Sequence, residues 1–282
     1  MPISRIVATT LLALIAFAGN SLLCRAALSH TSIDPATFTT GRMLSGAIAL
    51  WIIVFLRKGG YQGRGSWLSA FALCAYAVCF SFSYVHLTAA SGALILFGTV
   101  QATMIGYGLR SGERMRPLQI TGFVLACSGL VGLLLPGLSA PPLFSASLMI
   151  AAGIAWGIYS IHGKGAGDPL KVTAGNFLRA APMALAVSAI YLNRSSFDAT
   201  GLMYAVLSGA LASGIGYAIW YTALPFIRST IAATVQLAVP IIASMGSVLF
   251  LHEALTLRLI VASIVITGGV ALVIFMGNKK QN

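Results

Sequence analysis

Five carboxylates, four histidines and four cysteines are, beside seventeen Lys and Arg, all that this chain offers for acid–base, nucleophilic or metal chemistry. Gly165-Ala166-Gly167-Asp168 has the Gly-x-Gly-Asp spacing used for peptide hydrolysis inside membranes, but that chemistry needs two facing carboxylates. No second Asp or Glu lies within an apolar run, and Asp168 precedes Pro169, a pair that starts a turn or caps a helix. Ala90-Ser91-Gly92 near His86 has the residue types of a serine nucleophile, yet a Ser in a membrane helix usually bonds its own backbone. The histidines at 30, 86, 162 and 252 are scattered, without metal-site spacing. Cys24, Cys74, Cys79 and Cys127 sit in apolar runs as small hydrophobes, which implies no disulfide framework. With no phosphate loop or nucleotide motif either, the expectation is a protein that is not an enzyme and carries no cofactor or metal.

Binding groups are better represented. Arg42 and Arg179 fall inside apolar segments, where a cation costs about 2.5–3.5 kcal/mol and calls for a partner. Each either binds a substrate carboxylate or is structural, snorkelling or capping carbonyls of a neighbouring helix. Tyr76, Phe80 and Tyr84 recur at i, i+4 and i+8, one helical stripe that ends near His86. Tyr217, Trp220 and Tyr221 cluster in another segment, and Trp156 with Tyr159 in a third. Asn20, Gln101 and Gln236 supply amide groups that suit an amino or carboxylate headgroup. These residues form the candidate substrate-binding set: Asn20, Tyr76, Phe80, Tyr84, His86, Gln101, Trp156, Tyr159, Tyr217, Trp220, Tyr221 and Gln236.

The elements that hold them must be membrane helices. Of 282 residues, 58% are hydrophobic and 8% charged, with a mean hydropathy of +0.93. A soluble domain carries about 25% charged residues, so the composition excludes one, as it excludes a singly anchored enzyme and a secreted disulfide scaffold. At about 20 apolar residues per span, the chain accommodates about ten. Charges punctuate it accordingly: none occurs among residues 65–109 or 117–163, each room for two spans. Single spans follow near residues 6–24, 36–56, 172–192, 199–226, 229–251 and 259–276. With the N-terminus in the cytoplasm, twelve Lys and Arg lie on the cytoplasmic side and three (Arg25, Arg194, Arg258) on the other. The net charge of +12 is thus a topology signal with both termini cytoplasmic, not a nucleic-acid footprint.

Sliding the chain by 140 residues lays Gly112-Glu113 on His252-Glu253, Ile120 on Ile260 and Gly129 on Gly269. Asp34-Pro35 precedes the second span as Asp168-Pro169 precedes the seventh. Two five-span units, residues 1–140 and 141–282, are therefore expected. Since five is odd, the second enters the membrane inverted, the architecture of secondary transporters with a midplane site. Small residues at Gly122, Ala126, Gly129 and Gly132 mark close packing, either within the bundle or across a dimer face.

On these features the chain resembles the drug/metabolite transporter superfamily and its EamA-type branch. The resemblance rests on Gly19-Asn20-Ser21 in span 1, Phe38-Thr39-Thr40-Gly41-Arg42 in span 2, Ala155-Trp156-Gly157 in span 6, and the Gly-Glu and His-Glu turns. Span 1 has Ala18-Gly19 where many members have Trp-Gly. The resemblance implies an all-α integral membrane protein of ten transmembrane helices in two inverted repeats. It implies an exporter or exchanger of small metabolites, often amino acids, in a cytoplasmic (inner) membrane. The partners expected are a small-molecule substrate and lipids, with the chain a monomer or homodimer. Aromatic surface mixed with amide donors favours amino acids; phosphorylated or nucleotide-sugar cargo is the alternative, and a membrane-embedded enzyme a more distant one. Without a carboxylate in any span, only His86 and His162 could titrate near membrane depth, so obligatory proton coupling is not expected. Transport that follows an imposed pH step, with no substrate gradient, would contradict this.

Overall fold

The computed structural model describes residues 2–57, 65–112, 115–137, 140–163, 167–223, 226 and 235–277. Among them ten helices follow one another: α1 (Ile3–His30), α2 (Pro35–Leu56), α3 (Trp67–Tyr84), α4 (Ala89–Arg110) and α5 (Pro117–Leu134). The second half runs α6 (Leu143–Gly163), α7 (Pro169–Ile190), α8 (Ala199–Ala223), α9 (Ala238–Leu251) and α10 (Leu257–Gly277). Seven of them are long and apolar enough to cross a membrane. α7 carries Lys171, Asn176 and Arg179, which lower its hydropathy, and the described parts of α9 and α10 are shorter. Lys58, Arg64, Glu113, Arg114, Lys164, Gly165, Ala166, Arg228, Lys279 and Lys280, used above for motifs and orientation, lie outside the described residues, as does the first part of the ninth expected span.

The surface is apolar, as a bilayer requires: Val7, Leu11 and Ile15 on α1, Ile48, Trp51 and Phe55 on α2, and Ile260 and Ile264 on α10 are all exposed. The interior is built of small residues and rings, so helices approach closely where van der Waals packing must replace the hydrophobic effect. α1 packs on α8 as α6 packs on α3, and α1 on α9 as α6 on α4. α2 meets α7, and α5 meets α10. Exchanging each helix with the one five places on leaves this pairing unchanged, as two related halves demand.

Local signals agree with that relation. Asp34 and Asp168 each cap a helix whose first residue is proline; their Oδ1 atoms accept from the amides of Ala36 and Thr37, and of Leu170 and Lys171. Gly112 (φ +91°) and His252 (φ +53°), aligned by the 140-residue shift, both adopt the left-handed turn that ends a membrane helix. A side chain disfavours that conformation, so His252→Gly is expected to raise stability by about 1 kcal/mol; thermal unfolding in detergent measures it. The small residues of α5 serve internal packing. A Cβ on Gly122 would stand 2.6 Å from the carbonyl oxygen of Gly269 in α10, and one on Gly129 2.8 Å from Ile266. Gly132 faces open space.

Candidate functional site

Arg42 is fully buried at the centre of the bundle. Its Nε donates to Ser213 Oγ (3.1 Å) and its Nη2 to the hydroxyls of Tyr76 (3.2 Å) and Tyr217 (3.3 Å). The guanidinium carbon stands 5.1 Å from the Tyr76 ring centre and 5.0 Å from that of Phe80, within cation–π range. Nη1 has no hydrogen-bond partner among the described residues. Asn20 sits beside it and is held at both ends of its amide: Nδ2 donates to Tyr76 Oη (3.2 Å), while Oδ1 accepts from Ser208 Oγ (2.6 Å) and Ser213 Oγ (3.4 Å).

The two serines can share one acceptor because α8 changes its winding between Ser208 and Ile215. There the helix is a π-helix; the Gly216 amide donates to the carbonyl of Leu211, five residues back. Residues five apart, Ser208 and Ser213, then come to one side, whereas an α-helix would set them well apart around its axis. Gly209 and Gly46 allow the close approach of α2 and α8 that brings Ser213 and Tyr217 to Arg42: a Cβ on Gly209 would lie 2.0 Å from the Arg42 carbonyl oxygen.

Around this polar knot stands a box of rings. Phe17, Tyr76, Phe80, Trp156 and Tyr217 line a cavity together with Asn20, Ser21, Leu96 and Phe97. Trp156 lies 4.7 Å from Tyr217, 4.9 Å from Tyr76 and 6.3 Å from Phe17, centre to centre. The rings come from α1, α3, α6 and α8, so both halves of the chain contribute. The cavity measures only about 10 Å³, the space of a single water at most.

At the end of the bundle away from the N-terminus a second polar cluster closes over the box. Arg25 Nε meets Glu253 Oε1 at 2.7 Å, and its Nη1 donates to the carbonyls of Tyr84 and Val85, both at 3.0 Å. Glu253 Oε2 accepts from the Ala89 amide (2.8 Å) and Ser247 Oγ (2.6 Å). One ion pair thus ties α1, the α3–α4 connection and the turn after α9. The left-handed His252 lets the chain fold back to place Glu253 there.

Of the candidate residues, Asn20, Tyr76, Phe80, Trp156 and Tyr217 come together at the cavity, with Arg42 behind the Tyr76, Phe80 and Tyr217 wall. Tyr84 lies one turn past Phe80, its ring against Gly92 and beneath the Arg25–Glu253 pair. Tyr159 stacks near Trp156 but turns its hydroxyl to Asn176 Nδ2 (3.5 Å) of α7. Trp220 touches Phe17 edge-on, outside the wall. Tyr221 packs beside Gly163 at the end of α6. Gln101 is buried on α4 one turn beyond Phe97, and Gln236 stands just before α9; neither lines the cavity. Pro240 falls in the first turn of α9, three residues after the break at Leu237 that separates this helix from helical residues 235–236.

Three expectations are corrected. His86 is exposed beyond the end of α3, because the helix stops at Tyr84; His162 is exposed too. Arg42 neither snorkels nor caps a helix end, being held by hydroxyls and rings in the interior. Arg179 is only half-buried, donates to the Gly175 carbonyl of its own helix (2.9 Å) and lies over Trp67. Residues that the sequence reading left out are Ser208 and Ser213, whose alignment requires the π-helix, and the Arg25–Glu253 pair. The one available clue to the pair was Glu253 itself, in a chain with five acids.

Comparison with known proteins accords with this architecture. The sequence model described as the EamA-like transporter family matches residues 4–135 and again 143–275. An uncharacterized protein of Pseudomonas aeruginosa is 50% identical over 275 residues, covering 97% of this chain and 96% of that protein. An uncharacterized transporter of Archaeoglobus fulgidus is 26% identical across 93% of this chain and 94% of its own. The uncharacterized transporter YoaV of Bacillus subtilis is 21% identical across 88% and 90%. A solved structure titled "Crystal structure of protein" superimposes with a TM-score of 0.71 at 18% identity, covering 98% of each chain.

Proposed function

Because the chain belongs to the EamA-like transporter family, we propose that it exports or exchanges small metabolites, amino acids foremost and aromatic ones among them, by alternating access. The carrying observation is the ring box itself: six aromatic side chains, counting Phe97, drawn from both halves and closed on a cavity too small for any metabolite. Cargo can occupy such a place only if the halves move apart, and the rings then offer it apolar faces with hydroxyl and amide edges. A cytoplasmic membrane with both chain ends on the cytoplasmic side accords with the charge asymmetry.

The test is counterflow. Purified protein in lipid vesicles preloaded with unlabelled phenylalanine should take up labelled phenylalanine saturably, and Trp156→Ala should reduce that uptake at least tenfold while leaving the thermal unfolding midpoint of the protein measurable. A panel of amino acids, amines and nucleosides that shows no saturable exchange would overturn the reading, as would unsaturable flux of the kind a pore gives.

A further inference from the structure

We infer that the site reads a single carboxylate through Arg42 and meets the amino group with no charge of its own, so that its cargo class is apolar monocarboxylic acids, of which amino acids are one kind. The inference rests on the transporter reading above and narrows its substrate.

The first support is the open valence of Arg42. A guanidinium carries five N–H donors; three contacts, to Ser213, Tyr76 and Tyr217, occupy Nε and Nη2, and Nη1 is left bare in a fully buried side chain. Nor is the charge paired with a carboxylate among the described residues. Of the five acids, Asp34, Asp168 and Asp198 cap α2, α7 and α8, Glu253 is bound to Arg25, and Glu113 lies outside the described residues. A buried cation without a counter-ion is costly, and a carboxylate supplies both the charge and two acceptor oxygens in the geometry that suits the guanidinium fork. The two hydroxyls on Nη2, Tyr76 and Tyr217, also line the cavity, which places the cation directly behind the wall that cargo must displace.

The second support concerns the ammonium of an amino acid, which needs acceptors. Asn20 Oδ1 already accepts twice, and Asn20 Nδ2 is a donor in use. Among the described residues, the cavity wall holds no carboxylate; what it offers an ammonium is neutral, the unpartnered Ser21 Oγ and the ring faces, whereas the acid meets a full charge at Arg42. The third is the count of cations. One arginine suits a monoanion; Arg179 lies elsewhere, on Trp67 and its own helix, so a phosphate dianion or diphosphate would find too little charge. This disfavours phosphorylated and nucleotide-sugar cargo.

The full-length protein, reconstituted and assayed for inhibition of labelled phenylalanine counterflow, decides the matter with four probes: phenylalanine, 3-phenylpropanoate, phenylalaninamide and phenethylamine. The expected order puts 3-phenylpropanoate within about threefold of phenylalanine and the two analogues without a carboxylate, phenylalaninamide and phenethylamine, at least about 100-fold weaker, the size of effect that leaving a buried charged group unpaired produces. Arg42→Lys should keep the preference for the acids, and Arg42→Gln should abolish it. Should Arg42→Gln fail to fold, the probe series on the unaltered protein still decides. Equal competition by phenethylamine, or a need for both charged groups, overturns the inference while the carrier stands. Failure of all four, with no counterflow at all, overturns the carrier reading too.

Discussion

Placing a methyl group at position 209 should unfold this protein or nearly so. The Cβ of Gly209→Ala would fall 2.0 Å from the carbonyl oxygen of Arg42 and 2.1 Å from Ser45 Oγ, both on α2. Ordinary contact needs well over 3 Å, so α2 and α8 would have to part by more than an ångström along their whole interface. Backbone cannot yield as a flexible side chain does. The expected loss exceeds about 3 kcal/mol, above the usual range for an overpacked core site. The same parting would pull Ser213 and Tyr217 from Arg42, so binding should fail even in the fraction that folds. Gly132→Ala is the matched control: its Cβ meets nothing within 4 Å, and a helical glycine replaced by alanine gains about 0.5–1 kcal/mol. Thermal unfolding of the pair in the same detergent gives the comparison, and equal midpoints for the two variants would contradict the packing described.

The second large effect is expected at Glu253. Its carboxylate takes three hydrogen bonds, from Arg25, the Ala89 amide and Ser247, and its side chain is 12% exposed. Glu253→Ala would leave Arg25 facing only carbonyl oxygens and strip the Ala89 amide of its acceptor. Breaking a largely buried pair in this way costs about 3–5 kcal/mol, less where water reaches it, so about 2–4 is expected here. Because the pair joins α1 and the α3–α4 connection to the turn after α9, the cost should appear as opening at that end. A cysteine at Ser91, in a background with the four native cysteines replaced by alanine, should react with a membrane-impermeant maleimide at least tenfold faster in Glu253→Ala. An unchanged rate would mean that the ion pair does not hold that end shut.

The ten spans were legible because, Arg42 and Arg179 apart, the charges fall between them or at their ends, and the aspartate–proline pairs stand at two helix starts. Ring spacing also carried far: Tyr76 and Phe80, one turn apart, do share the cavity wall. It failed at Tyr84, since the stripe continues past the depth at which the cavity ends, a length that periodicity does not encode. Arg42 and Arg179 looked equivalent by position in their spans. What separates them is the neighbouring helix: α8 brings Ser213 and Tyr217 to Arg42, whereas Arg179 stands where a Trp67 face and a carbonyl of its own helix are in reach. Gln101 and Gln236 were chosen for chemistry alone, and mid-span polarity in a bundle does not say which side of the helix faces the solute. Ser208 and Ser213 were beyond reach for a sharper reason. The 3.6-residue period used to read helix faces is wrong for the stretch that holds them.

That stretch has a further consequence for length. Deleting one residue between Ser208 and Ile215, Ala210 for instance, would let the winding relax to the ordinary α form, with every backbone bond short and regular. Five π residues and four α residues each turn the chain by little more than one full circle, so everything C-terminal to the cut would keep nearly its present face and the Tyr217 hydroxyl would stay directed at the arginine. Wound as an α-helix with no residue removed, the same stretch would instead swing that phenol well away, so it is the wider winding, matched to the extra residue, that sets the direction in which it points.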